Sequence, residues 1–161
     1  MPAESRYPQA RTNVAFTITT ADSDSGRFFA DLAAHDVDTL IDIRPETDRT
    51  RSDALARRAR AEGLDIVRIS ALAPPKSLPH PPSGSGAWVT FRDRYGDHLK
   101  ANDNAFQALK EKARESRVAL VCDCADPSRC HRGILAERLV RAGVPTTHLF
   151  PGLKAMVSRI A

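Results

Sequence analysis

The three cysteines of this chain fall within nine positions of one another, in the stretch Val118–Ala142, VALVCDCADPSRCHRGILAERLVRA. Cys122 closes an apolar run, Cys124 lies in the polar turn after it, and Cys130 is followed directly by His131 and Arg132. Asp126-Pro127 reads as a helix start, an N-cap acceptor followed by proline at the first helical position. That start puts Cys130 and His131 on or just after the first turn. There the free amides and the positive helix end favour a thiolate, and Arg129, Arg132 and His131 push the same way. The same amides, with Arg132, suit a substrate anion. Cys130, Cys124 and His131 are therefore the candidate catalytic residues, and a nucleophilic or sulfur-carrying thiol is the chemistry they support. Cys122, closing a buried strand, reads as a core residue.

Metal binding is an alternative. The pattern C-x-C-x5-C-H supplies three thiolates and an imidazole, which makes Cys124, Cys130 and His131 candidate ligands for zinc or iron. Two features count against it: the chain has no C-x-x-C pair, and neighbours on a helix start diverge by about 100°. A redox disulfide, Cys122–Cys124 or Cys124–Cys130, is a further possibility, the first of them strained.

The elements that must position these residues alternate along the chain. Asn13–Ile18 is β-prone, and Ser25 caps a helix through His35 carrying Phe28, Phe29 and Leu32 on one face. Thr39–Ile43 is a buried strand interrupted by Asp42, and a helix from Ser52 to Glu62 ends at Gly63, a residue suited to left-handed geometry. Asp65–Ile69 is a third strand. Ala73–Ala87, rich in proline, glycine and serine, reads as a mobile flap in which Lys76 and His80 are solvated. Two helices broken near Asn102 follow, with Trp88, Phe91, Tyr95 and Leu99, then Phe106, Leu109 and Ala113, as core stripes. Tyr95 needs a partner for its hydroxyl if buried. Val118–Cys122 and Thr146–Phe150 complete the strands.

This alternation predicts an α/β fold, a single domain over 13–161 behind a flexible tail at 1–12, with a mostly parallel five-stranded sheet and helices on both faces. Ligands in such sheets bind beyond the carboxyl ends of the strands. Thr19, Thr20, Asp42, Arg44 and Cys124 all lie at such ends and are expected to converge. Asp42, a carboxylate in an apolar strand, is costly unless paired, and serves either to tidy the strand end or to orient a catalytic group.

The ordered set TLIDIR, GLDIVRIS, FRDRY and VALVCDCADPSRCHRGILAERL resembles the domain-of-unknown-function family 488, over about Val14 to Phe150. The resemblance implies a small cytosolic α/β domain. It also implies a pocket made by Asp42, Ile43 and Arg44, by Tyr95, and by Cys130, His131 and Arg132. It implies no reaction. The sequence departs from the family pattern in three places. Thr17-Ile18-Thr19-Thr20 stands where Thr-Ile-Gly is usual, Ala73 replaces a glycine, and Cys124 replaces a pocket glutamate. LIDIRPE is also similar to the Asp-x-Arg-x-x-Glu of rhodanese-type sulfurtransferases. Their nucleophile cradle needs successive amides, however, and Pro127 has none.

Bulk properties narrow the classes. At 161 residues, 42% hydrophobic and 27% charged, the chain is an ordinary globular domain. No apolar run is long enough to span a bilayer, and the first residues lack the apolar stretch of a secretory signal. An odd cysteine count suits a reducing compartment, so the expected location is cytoplasmic. The net charge of +4 is spread over interleaved arginines. A small anionic substrate is the expected partner. Nucleic acid, which would want a basic stripe with stacking aromatics, is not favoured, since only FRDRY mixes the two. A membrane partner is not expected.

Overall fold

The computed structural model describes residues 14–20, 26–45, 49–82 and 84–150. Five strands form one sheet: β1 (Ala15–Thr19), β2 (Thr39–Asp42), β3 (Asp65–Arg68), β4 (Val118–Cys122) and β5 (Thr146–His148). Their order is β3-β2-β4-β1-β5, and every pairing is parallel. The helices are α1 (Gly26–Ala34), α2 (Arg49–Ala61), α3 (Trp88–Ala101), α4 (Asp103–Glu115) and α5 (His131–Arg141). The expected α/β architecture is the observed one.

Side-chain alternation along β4 explains the three layers. Val118, Leu120 and Cys122 pack with Phe91, Tyr95, Leu99, Phe106 and Leu135, from α3, α4 and α5. Ala119 and Val121 pack on the other side with Phe28, Leu32 and Leu55, from α1 and α2. Both aromatic stripes are core, as their helical spacing predicts, and Asn102 separates their helices. Gly63 takes φ +79° after α2, the left-handed geometry that the sequence suggests.

Most element ends fall within a residue or two of expectation, and three differences stand out. Helix α2 begins at Arg49, three residues before Ser52, and β5 ends at His148 rather than Phe150. The third concerns Asp126. Its carboxylate does accept from the Ser128 amide at 2.9 Å, but it caps only a 3-10 turn, Pro127–Arg129. The α-helix begins anew at His131, with Cys130 as an extended N-cap residue. The expected tail at 1–12, Asn13, the Ser25 cap and the stretch beyond Phe150 lie outside the described residues.

Sheet order sets the location of a site. β1 leads across β4 to β2 on one side, whereas β4 leads across β1 to β5 on the other. Adjacent strands whose connections part in opposite directions leave a crevice at their carboxyl ends. Thr19 and Cys122, partners in register, stand at that point. No helix among the described residues is long and apolar enough to cross a membrane.

Candidate functional site

The crevice holds a cluster of thiols and an imidazole. Cys122, Cys124, Cys130 and His131 each bring one ligating atom, and these atoms all lie within 4.8 Å of one another. The sulfur atoms of Cys122 and Cys124 are 3.7 Å apart, and those of Cys122 and Cys130 are 3.2 Å apart. His131 Nδ1 is 3.6 Å from the Cys122 sulfur and 3.8 Å from that of Cys130. The divergence expected of Cys130 and His131 does not occur. It presumed two helical residues, but Cys130 has φ −142° and ψ 148°, and an extended residue before a helix can face the same way as the first helical one. Cys122 is core in its burial, as expected, and is also a full member of the cluster.

His131 is held from behind. Its Nε2 lies 2.6 Å from the Ile43 carbonyl oxygen, which can only accept, so Nε2 carries the hydrogen and Nδ1 the lone pair; the two nitrogens lie 3.7 and 3.6 Å from the Cys122 sulfur. The Tyr95 ring meets the imidazole edge-on at 5.7 Å. The Tyr95 hydroxyl finds its partner in the Leu72 carbonyl, and burial pushes its pKa well above the usual value. Tyr95 therefore walls the site without presenting its hydroxyl to it.

Arg132 lies beneath the cluster and is fully buried. It donates to the Cys124 carbonyl at 2.5 Å and to Thr17 Oγ1 at 3.3 Å, and its Nη1 is 3.7 Å from the Cys130 sulfur. Thr17 Oγ1 in turn shares a hydrogen bond of 2.6 Å with His148 Nδ1, and the His148 pKa is lowered by burial and by Arg132. Among the described residues Arg132 reaches no carboxylate. A buried guanidinium needs an anion, and the thiol cluster is the anion in reach.

The thiols share that role unequally. Burial works to raise the Cys130 thiol, but hydrogen bonds, first from Cys122 and then from Cys124, help to outweigh it and bring its pKa below the ordinary value. Hydrogen bonding to Cys124 and Cys130, then burial, holds the Cys122 thiol well above it. The Cys122 contact pulls the Cys124 thiol down, but competition from Cys130 and burial leave it pushed up to about 12. Cys130 is thus the most acidic of the three thiols.

The other strand-end residues do converge, largely on one another. Asp42 accepts from the Arg44 amide and Nε at 3.0 Å, and from its Nη2 at 3.0 Å. Arg68 approaches the same carboxylate at 3.6 Å. This is the strand-end role for Asp42, and bonding to Asp42 raises the Arg44 pKa against the opposing effect of burial. Thr20 donates to the Asp123 carboxylate and the Cys122 carbonyl, and Thr19 to the Asp123 carbonyl. Asp123 also lies 3.9 Å from Arg44. The expected binding residues thus support the crevice from below: Arg44 and Arg132, both buried, spend their donors on protein atoms.

Sequence reading missed two residues. His80, expected to be solvated, is exposed, but its Nε2 lies 3.6 Å from the Cys124 sulfur. Nothing in a proline-rich loop marks such a contact. Gly133 was overlooked as well. A Cβ there would lie 1.9 Å from the Pro127 carbonyl oxygen, so only glycine lets the 3-10 turn rest on α5. Its place directly after Cys-His-Arg was the available signal.

Fold and site together define a small parallel α/β protein with a Cys/His cluster at the switch point of its sheet. The chain belongs to the family described as Domain of unknown function DUF488, which it matches over residues 24–139. No curated protein matches it.

Proposed function

We propose that this is a metal-binding protein in which Cys122, Cys124, Cys130 and His131 hold one zinc ion. The observation that carries the reading is the spacing of the four donors. Tetrahedral zinc, with bonds of about 2.3 Å to sulfur and 2.0–2.1 Å to nitrogen, needs S···S edges of about 3.7 Å and S···N edges of about 3.5 Å. The Cys122–Cys124 edge is 3.7 Å, and the two edges to His131 Nδ1 are 3.6 and 3.8 Å. The Cys122–Cys130 edge, 3.2 Å, has only to open slightly, and the edges from Cys124 to Cys130 and His131, which lie within 4.8 Å, to settle to the same lengths.

Two further features support it. The ring nitrogen facing the thiols is the unprotonated one, and its opposite nitrogen is anchored by a carbonyl, as metal-bound histidines usually are. Charge also balances: three thiolates and a dication leave one negative charge, which Arg132 offsets. A thiol nucleophile has less support. Cys130, the thiol whose pKa is lowered, is fully buried, and Cys124, the half-buried one, has its pKa pushed up to about 12. With four protein donors the ion would tie β4 to α5 rather than present an open coordination position.

Elemental analysis of protein purified under reducing conditions tests this. One zinc per chain is expected, lost in Cys130→Ser. Iron in the same ratio would keep the site and change the ion. A chain that carries no metal and does not compete with a chelator for added zinc would sink the proposal. Thiosulfate:cyanide sulfur transfer abolished by Cys124→Ser would favour the sulfurtransferase reading instead.

A further inference from the structure

The four donors are not equally accessible. Cys130 is fully buried, and Cys122 and His131 are each 1% exposed. Cys124 lines a cavity of about 610 Å³ whose walls include His80, Trp88, Asp126 and Arg129 and none of the other three donors. An ion that enters by this cavity meets Cys124 before the buried donors.

His80 stands at the same place and is oriented for it. Its Nδ1 lies 3.1 Å from the Pro81 carbonyl oxygen, which can only accept, so Nδ1 carries the hydrogen. The lone pair of Nε2 therefore faces the Cys124 sulfur, 3.6 Å away. That separation matches the S···N edge of about 3.5 Å that a shared tetrahedral cation requires. The ring is backed by Phe91 at 5.1 Å and Trp88 at 6.1 Å. The loop carrying it is pinned by Leu78, which packs in the core. The pocket walls carry one acid, Asp126, and one base, Arg129, so their charges offset one another against an incoming cation.

We propose that Cys124 and His80 form a capture site for a thiophilic divalent cation, from which the ion passes inward to Cys122, Cys130 and His131. The proposal rests on the metal-binding reading of the inner cluster and adds a second, outer site to it. The steps balance without any oxidant or reductant. Capture breaks the Cys124 S–H bond, forms a metal–sulfur bond and gives the proton to water, while His80 binds through a lone pair and releases nothing. Passage inward exchanges the His80 nitrogen for the inner donors, and Cys122 loses its proton to solvent as its bond forms. Cys124 stays bound throughout, a hinge between the outer and inner sets.

Cobalt(II), whose thiolate bands report coordination directly, is the probe. Metal-free full-length protein is mixed with cobalt in stopped flow, and loaded protein is then stripped with a chelator in excess. Wild type, His80→Gln and a control on the same loop, Lys76→Ala, are compared. A port acts on both directions alike, so His80→Gln is expected to slow uptake and release by the same factor, about tenfold or more. Final stoichiometry stays at one, and Lys76→Ala matches wild type. Unchanged rates in His80→Gln overturn the port while leaving the inner site standing. Loss of equilibrium binding in His80→Gln also overturns it, by making His80 a resting ligand. Wild-type protein that never develops thiolate–cobalt bands overturns the inner site itself.

Discussion

His131 Nε2 lies 2.6 Å from the carbonyl of Ile43, a residue 88 positions earlier in the chain. That bond decides which ring nitrogen is left for the thiols. In nitrogen-15 NMR of the zinc-loaded protein, His131 should appear metallated at Nδ1 and protonated at Nε2. The opposite tautomer would show that the cluster binds differently.

With the Cys130 pKa lowered and those of Cys122 and Cys124 raised, the empty site is expected to hold one thiolate and two thiols at neutral pH. Filling it therefore displaces about two protons per ion. Because protons compete with the metal, affinity should strengthen as pH rises, by about a hundredfold per unit near neutrality. Calorimetry in buffers of differing ionisation enthalpy counts the protons. A count near zero or three would contradict this assignment of charges.

Arg132 is the countercharge beneath the cluster, 3.7 Å from the Cys130 sulfur. Arg132→Leu should weaken zinc binding by about tenfold or more. Arg132→Lys, which keeps the charge and loses the forked geometry, should recover part of it. If both variants bind equally well once folded, the guanidinium only packs.

Gly133 can accept no side chain while the Pro127 carbonyl rests on it. Gly133→Ala must push the 3-10 turn off α5, at a cost of about 1–3 kcal/mol or more. Denaturant unfolding measures this. A variant as stable as wild type would mean that the turn moves freely, and the donor spacing with it.

The fold was legible because its signals are local and periodic. The β4 run VALVC and the stripe of Phe91, Tyr95 and Leu99 mark their elements without help from the rest of the chain. The crevice was legible too, since three segments end at one sheet edge. The donor geometry was not. It turns on one backbone angle pair at Cys130, where Pro127, three residues earlier, suggested continuous helix and the chain instead makes a turn, extends, and starts again. Whether Asp42 tidies the strand end or orients a catalytic group stayed open in the sequence, because sequence shows charge but not its partner; folded, Asp42 and Arg44 satisfy each other. His80 was illegible for a related reason, its contact with Cys124 spanning 44 positions and depending on how a loop lies.

β1 and β2 never touch one another; β4 lies between them. A ribosome delivers β1, β2 and β3 first, so the nascent sheet waits with a gap at its middle until residues 118–122 emerge. The keystone that closes this gap carries Cys122 at its tip, and Cys124, Cys130 and His131 follow within the next few residues. Long-range parallel pairing of this kind is slow to form. Assembly of the sheet and assembly of the thiol cluster are thus one late event in the life of the newly made chain, and a half-finished sheet has no finished site.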